Sequence, residues 1–204
     1  MSDDPKDGLW TARSLEDTQK LYADWAGDYD ADVAKWGYAT PARVAMALRI
    51  AGANADKPVL DYGCGTGLSG MALSAVGFDV VDGTDISPEM LTRAEARGTY
   101  RQVWLGQPGT LGHIKPGDYP LIVATGVVSL GAAPPETLDM LVTAMAPGNL
   151  LAFSYNDATL ADRRYTDKLD VICLAPDMDL VFEEHGPHLP AKGIESTVYV
   201  LKKT

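Results

Sequence analysis

The chain has few of the residues that mark several common classes of protein. Only two cysteines occur among its 204 residues, so no disulfide framework is indicated and a reducing cytoplasm is the expected setting. The 17 Lys and Arg residues are outnumbered by 28 Asp and Glu, which gives a net charge of −11. That charge predicts no nucleic-acid partner, because such partners are held largely through Lys and Arg contacts with phosphates. No uncharged run is longer than residues 119–135, a run that is interrupted by Pro and Gly and is shorter than the ~20 apolar residues of a membrane span. We therefore expect no membrane segment.

Histidine is also scarce, with three residues in the chain. His185 and His188 flank a Gly-Pro pair, an arrangement that could supply two metal ligands. Structural metal sites need more ligands than two, and no third one is obvious. The interpretation is a solvated loop, and no metal site is predicted.

The domain organisation follows from where the periodic patterns begin. Residues 1–13 are acidic and polar and are predicted to be a flexible tail. Residues 14–204 are predicted to form one domain, of which residues 14–54 are a helical cap. Within the cap, Tyr22, Trp25 and Tyr29 recur at helical spacing and share one face.

From Val59 onwards, extended and helical segments alternate. Seven runs resemble strands: Val59–Tyr62, "FDVVDGTD", "YRQVWL", "LIVATGVV", "LLAFSY", "MDLVFEEH" and "STVYVLKK". Strands that alternate with helices favour a parallel sheet covered on both faces. The last two runs have no helical pattern between them, which indicates an antiparallel hairpin. The predicted fold is therefore α/β, a Rossmann-like, doubly wound, mostly parallel seven-stranded sheet with a C-terminal antiparallel hairpin and an N-terminal helical cap.

The stretch "PVLDYGCGTGLSG" begins in the first strand and carries four glycines within eight positions. Glycines allow positive φ angles and close approach to the backbone, and the helix that follows offers free N–H groups. Gly65, Gly67 and Gly70 also match the G-x-G-x-x-G pattern of dinucleotide sites, which is a weak signal alone. Two acids argue against a dinucleotide ligand. Asp61 would repel a pyrophosphate and suits a cationic ligand. Asp85 ends the next strand, where it could accept hydrogen bonds from ribose hydroxyls.

The motifs "VLDYGCGTG", "VVDGTDISPEML" and "MAPGNLLAFSYN" resemble class I S-adenosylmethionine-dependent methyltransferases that act on small molecules. "YADWAGDYDADVAKWGYATP" and "EARGTYRQV" are similar to the methyltransferase-like group named after the Williams–Beuren syndrome region. The resemblance implies S-adenosylmethionine as cofactor and a small-molecule methyl acceptor. The cofactor-binding residues that it implies are Tyr22, Tyr29, Asp61, Gly63, Gly65, Gly67, Asp85, Ile86 and Gln107, the last standing where the family usually has an acid.

The acceptor pocket is expected in the loops at the carboxyl ends of the strands and beneath the cap. Its predicted residues are Trp36, Tyr38, Val128, Ser129, Tyr155 and Asn156. Relatives often carry a histidine where this chain has Ala132, so no catalytic base is predicted. Two alternatives stay open, a nicotinamide-dependent oxidoreductase and a cofactor-binding module without catalysis. The cap is expected to act as a mobile lid, the alternative being a permanently docked helix.

Overall fold

The structure, a computed structural model, describes residue 11 and residues 13–204. Most of the predicted tail, residues 1–13, therefore lies outside the described residues. The strands in the described part are β1 (Val59–Tyr62), β2 (Val81–Asp85), β3 (Gln102–Leu105), β4 (Leu121–Ala124), β5 (Leu150–Asn156), β6 (Met178–Leu189) and β7 (Ile194–Lys203). They form one sheet in the order β3-β2-β1-β4-β5-β7-β6. Strands β1 to β5 pair in parallel, and β7 runs antiparallel to both β5 and β6. The predicted fold class is confirmed.

Helices cover both faces of this sheet, and the first two helices lie near the carboxyl ends of its strands. Their bounds are α1 (Leu15–Trp25), α2 (Tyr29–Trp36), α3 (Thr40–Ile50), α4 (Leu68–Ala75), α5 (Pro88–Ala96), α6 (Glu136–Thr143), α7 (Asp157–Leu160) and α8 (Arg163–Cys173). Capping residues mark the starts of two of these helices. Ser14 accepts a hydrogen bond from the Asp17 N–H at the start of α1, and Ser87 accepts one from the Met90 N–H at the start of α5. Both are N-caps, which satisfy N–H groups that have no partner within the helix.

The two faces of the sheet carry separate cores. In β4, Leu121 and Val123 belong to the cluster that packs against α3 and α4, whereas Ile122 and Ala124 belong to the cluster that packs against α6 and α8. This alternation follows from the two-residue period of side chains along a strand. Because β4 is buried on both faces, all four of its residues are apolar, as expected for a central parallel strand.

The N-terminal region departs from its predicted organisation. The helical pattern from residue 14 to about residue 35 is divided into α1 and α2 by a turn that contains Gly27, and glycine is unfavourable in the interior of a helix. Helices α1 and α2 are called the cap from here on. Trp25 and Val33 form a small cluster of their own, apart from the cores of the sheet. Helix α3, which the prediction grouped with the cap, instead buries Val44 and Leu48 in the sheet core.

The C-terminal hairpin is confirmed, but its loop is much shorter than predicted. Strands β6 and β7 are joined by residues 190–193 alone. The Gly186–Pro187 pair that indicated a loop lies within β6, where Pro187 pairs with Glu195. Strand β6 is at the edge of the sheet, and an edge strand tolerates proline because one side of it has no ladder hydrogen bonds. The solvated-loop interpretation of His185 and His188 is therefore wrong.

Candidate active site

The glycine turn between β1 and α4 lies at the carboxyl edge of the sheet. Gly63, Gly65 and Gly67 all have positive φ, at 71°, 54° and 92°, a region that side chains with a Cβ rarely adopt. A Cβ at Gly63 would lie 2.3 Å from the Val127 side chain. A Cβ at Gly65 would meet no atom within 4 Å. Gly63 is thus required by packing, whereas Gly65 presents bare backbone to open space.

Asp85 connects this turn to the next strand. Its Oδ2 accepts from the Gly65 N–H at 2.8 Å, and its Oδ1 accepts from the Ser87 N–H at 2.9 Å. Burial raises the pKa of Asp85, and the hydrogen bonds from Ser87 and Gly65 oppose that shift. Each carboxylate oxygen keeps a further lone pair, so the group can accept additional hydrogen bonds.

A cavity of about 410 Å³ opens in front of these residues, within the usual range for small-molecule sites. Seven of the nine predicted cofactor-binding residues line it: Tyr22, Tyr29, Gly63, Gly65, Asp85, Ile86 and Gln107. Thr84 and Thr125 also line this larger cavity, and their Oγ1 atoms are buried without a hydrogen-bond partner among the described residues. Buried hydroxyls normally have partners. These two groups, the bare Gly65 backbone and the Asp85 carboxylate fit a nucleoside ligand with several polar atoms.

The other two predicted residues, Asp61 and Gly67, do not line the larger cavity. Asp61 is fully buried behind the turn, where its Oδ2 accepts from Ser69 Oγ at 2.5 Å and from Tyr100 Oη at 2.8 Å. Its Oδ1 has no partner in the described part of the chain. Burial raises the pKa of Asp61 to about 6, against the effect of both hydrogen bonds. The hydrogen bonds of Asp61 therefore join β1 to the first turn of α4 and to Tyr100, and they do not face the larger cavity.

A smaller cavity of about 60 Å³ adjoins the larger one. The two share Tyr22, Tyr29, Tyr38 and Gly126. Four of the six predicted acceptor residues line the smaller cavity: Trp36, Tyr38, Ser129 and Asn156. Its remaining walls are formed mainly by the cap and by the loop after β4, so it lies beneath the cap, as expected for the acceptor pocket.

Val128 and Tyr155, the other two, lie in the sheet core and line neither cavity. Tyr155 is fully buried and packs against Phe153 and Tyr199, with ring centroids at 5.2 and 5.7 Å. Adjacent residues of a strand point to opposite faces. Because Asn156 at the end of β5 reaches the cavity, its neighbour Tyr155 does not.

Sequence reasoning missed His188, which lines the smaller cavity. The residue is buried near the end of β6, its Nδ1 lies 2.7 Å from Thr40 Oγ1, and its ring meets Tyr38 edge-on at 5.2 Å. Burial lowers the pKa of His188 to about 4, so its ring is neutral at neutral pH. His185 faces away, with Thr197 and Glu195 at 3.0 Å. Thr40 and His188 are 148 positions apart, and no local pattern could have shown their contact.

Polar contacts attach the cap to the rest of the site. Asp30 of α2 accepts from Thr66 Oγ1 at 2.6 Å and forms an ion pair with Arg97 of the α5 C-terminus. Arg97 in turn donates to the backbone oxygen of Thr66 within the glycine turn. In α1, Thr18 lies 3.4 Å from the Gly131 carbonyl oxygen in the loop after β4. The cap thus contacts the glycine turn on one side and the loop after β4 on the other.

Comparison with known families identifies the domain. A family model described as a methyltransferase domain matches residues 36–197. The chain belongs to this family. The match confirms the predicted class, an S-adenosylmethionine-dependent methyltransferase of class I, and with it the predicted cofactor. It also argues against the oxidoreductase alternative.

The chain is 36% identical over 141 residues to methyltransferase-like protein 27 from Homo sapiens, a match that covers 67% of this chain and 57% of that protein. It is 48% identical over 75 residues to 18S rRNA (guanine-N(7))-methyltransferase from Bos taurus, covering 36% of this chain and 26% of the relative. The chain therefore spans little more than half the length of the first relative and about a quarter of the second.

The solved structures show the same fold. A methyltransferase from Thiobacillus denitrificans, solved in complex with S-adenosyl-L-homocysteine, superposes with a TM-score of 0.57 at 14% identity, covering 81% of this chain and 91% of that one.

No helix in the described part of this chain combines the length and the apolar character that crossing a membrane would require. The same residues contain no group of three or more His, Cys, Asp or Glu side chains arranged for a metal ion.

Proposed function

We propose that this domain transfers the methyl group of S-adenosylmethionine to a small-molecule acceptor that sits in the smaller cavity beneath the cap. The observation that carries the proposal is the pair of adjoining cavities with three tyrosines in their common wall. A volume of about 60 Å³ admits a compact chemical group. The two free cysteines, Cys64 and Cys173, are compatible with a cytoplasmic location, which we include in the proposal.

In the larger cavity, the proposed roles follow from the contacts of each residue. Asp85 has spare lone pairs for the ribose hydroxyls, and Gly65 offers an unobstructed backbone for the methionine part. Gln107 can accept from the adenine amino group through its amide oxygen, and Ile86 can pack on the adenine ring. Asp61 and Gly67 act indirectly by fixing the turn. When bound, the cofactor supplies an electrophilic methyl group on a sulfonium sulfur.

The protein contributes alignment and the exclusion of water rather than a charged catalytic group. The smaller cavity has no carboxylate, lysine or arginine among its described lining residues. Orientation of two reactants in a closed site supplies ~7–11 kcal/mol of the barrier in well-aligned systems. The cap encloses the reacting groups, and its aromatic side chains limit the access of water.

A macromolecular acceptor is the second candidate, because one relative is named for methylation of 18S rRNA. The net charge of −11 disfavours RNA binding by this chain alone. A basic partner protein could supply the missing positive charge. The two acceptor classes therefore need a direct test.

The test uses S-adenosylmethionine labelled in its methyl group. The protein is incubated with the cofactor and with three separate fractions of a cell extract: small molecules, ribosomal RNA and protein. We expect label in the small-molecule fraction, and none with Gly65→Val, whose side chain would occupy the larger cavity. Label in RNA or protein would contradict the small-molecule proposal. Binding without any transfer would instead support a module without catalysis.

A further inference from the structure

The smaller cavity contains a side-chain amide whose orientation is fixed by its partners. Asn156 Oδ1 accepts from the Thr159 backbone N–H at 3.0 Å and from Thr159 Oγ1 at 2.9 Å. A backbone N–H can only donate, so the amide oxygen must face Thr159. Asn156 Nδ2 has no hydrogen-bond partner among the described residues, and Asn156 lines the cavity. The free end of this side chain is therefore a donor.

The tautomer of His188 follows from a chain of hydrogen bonds that begins at a permanent donor. Arg43 Nη1 donates to Ser196 Oγ at 3.0 Å, Ser196 Oγ lies 3.2 Å from Thr40 Oγ1, and Thr40 Oγ1 lies 2.7 Å from His188 Nδ1. Ser196 and Thr40 are fully buried. The Ser196 hydroxyl hydrogen has one acceptor within reach in the described structure, Thr40 Oγ1.

If Ser196 donates to Thr40, the Thr40 hydroxyl donates to His188 Nδ1. Every buried group in this series of hydrogen bonds then has a partner. If the direction were reversed, the buried hydroxyl hydrogen of Ser196 would have none, which costs about 1–3 kcal/mol. The first direction is favoured, so Nδ1 is an acceptor. In a neutral imidazole the other nitrogen then carries the hydrogen, which makes His188 Nε2 a donor.

We propose that the smaller cavity binds the methyl acceptor through a carbonyl or carboxylate oxygen, which accepts hydrogen bonds from Asn156 Nδ2 and His188 Nε2. This inference rests on the proposed function, since it names the chemistry of the acceptor for the same site. Two hydrogen-bond donors in the wall of one small cavity disfavour an ammonium group, which can also only donate. The Trp36 ring, which could otherwise attract a cation, already has Lys192 Nζ at 4.9 Å from its centroid. His188 is accordingly a positioning and specificity-determining residue rather than a general base.

The first test reads the tautomer directly from the nitrogen-15 resonances of the imidazole rings, because protonated and unprotonated ring nitrogens differ greatly in chemical shift. The chain has three histidines, and His188→Gln assigns the signal of interest. We expect an unprotonated Nδ1 and a protonated Nε2 in His188 at neutral pH. A protonated Nδ1 with a free Nε2 would overturn the proposal, since the cavity would then contain an acceptor at this position.

The second test uses two probes that fit the cavity, acetate and methylammonium, each titrated at equal concentrations in the free protein and again with S-adenosylhomocysteine. Acetate should shift the His188 Nε2 and Asn156 Nδ2 resonances, and methylammonium should not. Asn156→Asp keeps an oxygen for the Thr159 N–H but replaces the donor with a carboxylate, so it should abolish the acetate response. His113→Gln, at an exposed position, is the matched control and should respond as wild type does.

The outcomes separate this inference from the proposed function. An equal or stronger response to methylammonium, or an acetate response that survives in Asn156→Asp, would overturn the oxygen-binding site even if S-adenosylmethionine binds by calorimetry. Failure of S-adenosylmethionine to bind would overturn the proposed function, whereas the tautomer and the acetate response are measured without it. Rescue of acetate binding by Asn156→Gln, which restores an amide donor, would support the assignment further.

Discussion

The contacts of Asp30 predict that the cap opens as a unit when they are removed. The Asp30 carboxylate accepts from Thr66 and pairs with Arg97, and the two charged side chains are 38% and 20% exposed. A buried charge-assisted hydrogen bond contributes about 1.5–3 kcal/mol, but exposed pairs contribute much less. For these partly exposed contacts together we estimate about 1–2 kcal/mol, a 5- to 30-fold change in an equilibrium constant.

Asp30→Ala should therefore increase hydrogen exchange 5- to 30-fold from about residue 21 in the cap to residue 38 just after it, while the amides of Leu60 and Val123 in the sheet keep their rates. The sheet is unaffected because Trp25 and Val33 form a cluster separate from its cores. Asp28→Ala is the matched control, since Asp28 lies at the start of the same helix, is exposed and makes no capping hydrogen bond. Bound S-adenosylmethionine should slow exchange in the cap of both proteins.

Two results would refute this reasoning. Equal exchange in Asp30→Ala and wild type would show that packing alone holds the cap, and equally strong protection of cap and sheet in the free wild type would exclude a mobile lid. Faster exchange in both the cap and the sheet would show that Asp30 supports the whole fold.

Three further predictions concern the larger cavity. Asp85→Asn removes a charge-assisted acceptor worth about 1.5–3 kcal/mol, so calorimetry should show S-adenosylmethionine binding at least ~10-fold more weakly, and unchanged affinity would exclude Asp85 from the site. Gly65→Val should abolish binding in a folded protein, whereas Gly98→Val, with a similar φ of 66° and equally open surroundings, should bind normally. Burial raises the folded-state pKa of Asp61 from 3.8 to about 6, so this group makes wild type lose stability as the pH rises from about 4 to about 6. Melting curves of Asp61→Asn should lack that loss, and parallel pH profiles for the two proteins would contradict it.

The parts of the fold that the sequence predicted well are those with strong local signals. The four apolar residues of β4 are an example, since burial on both faces of the sheet leaves a short and continuous apolar pattern. Helix α8 was not predicted. Only Tyr165, Leu169 and Ile172 of its eleven residues are buried, and this narrow apolar stripe is easily overlooked in a polar segment.

The candidate site divides in the same way. Gly63, Gly65 and Asp85 lie within one strand–turn–helix–strand segment, so their spacing alone predicted a shared position. His188 joins the site through the pairing of β6 with β7 and through its contacts with Tyr38 and Thr40, which are distant from it in the sequence. Such contacts depend on the assembled sheet, and the Gly-Pro pair beside His188 pointed to a loop instead.

The position of β7 has a consequence for the order in which the two halves of the molecule form during synthesis. Strands β1 to β4, which frame the larger cavity, are paired only with one another and with β5, and all of them precede β7 along the chain. Strand β6 cannot join the sheet until β7 has been made, because β7 lies between β5 and β6. Ser196 of β7 also fixes the ring of His188 through Thr40. A nascent chain on the ribosome can therefore pair the strands around the larger cavity first, and the smaller cavity, which is lined in part by His188 and Leu189 of β6, is completed last.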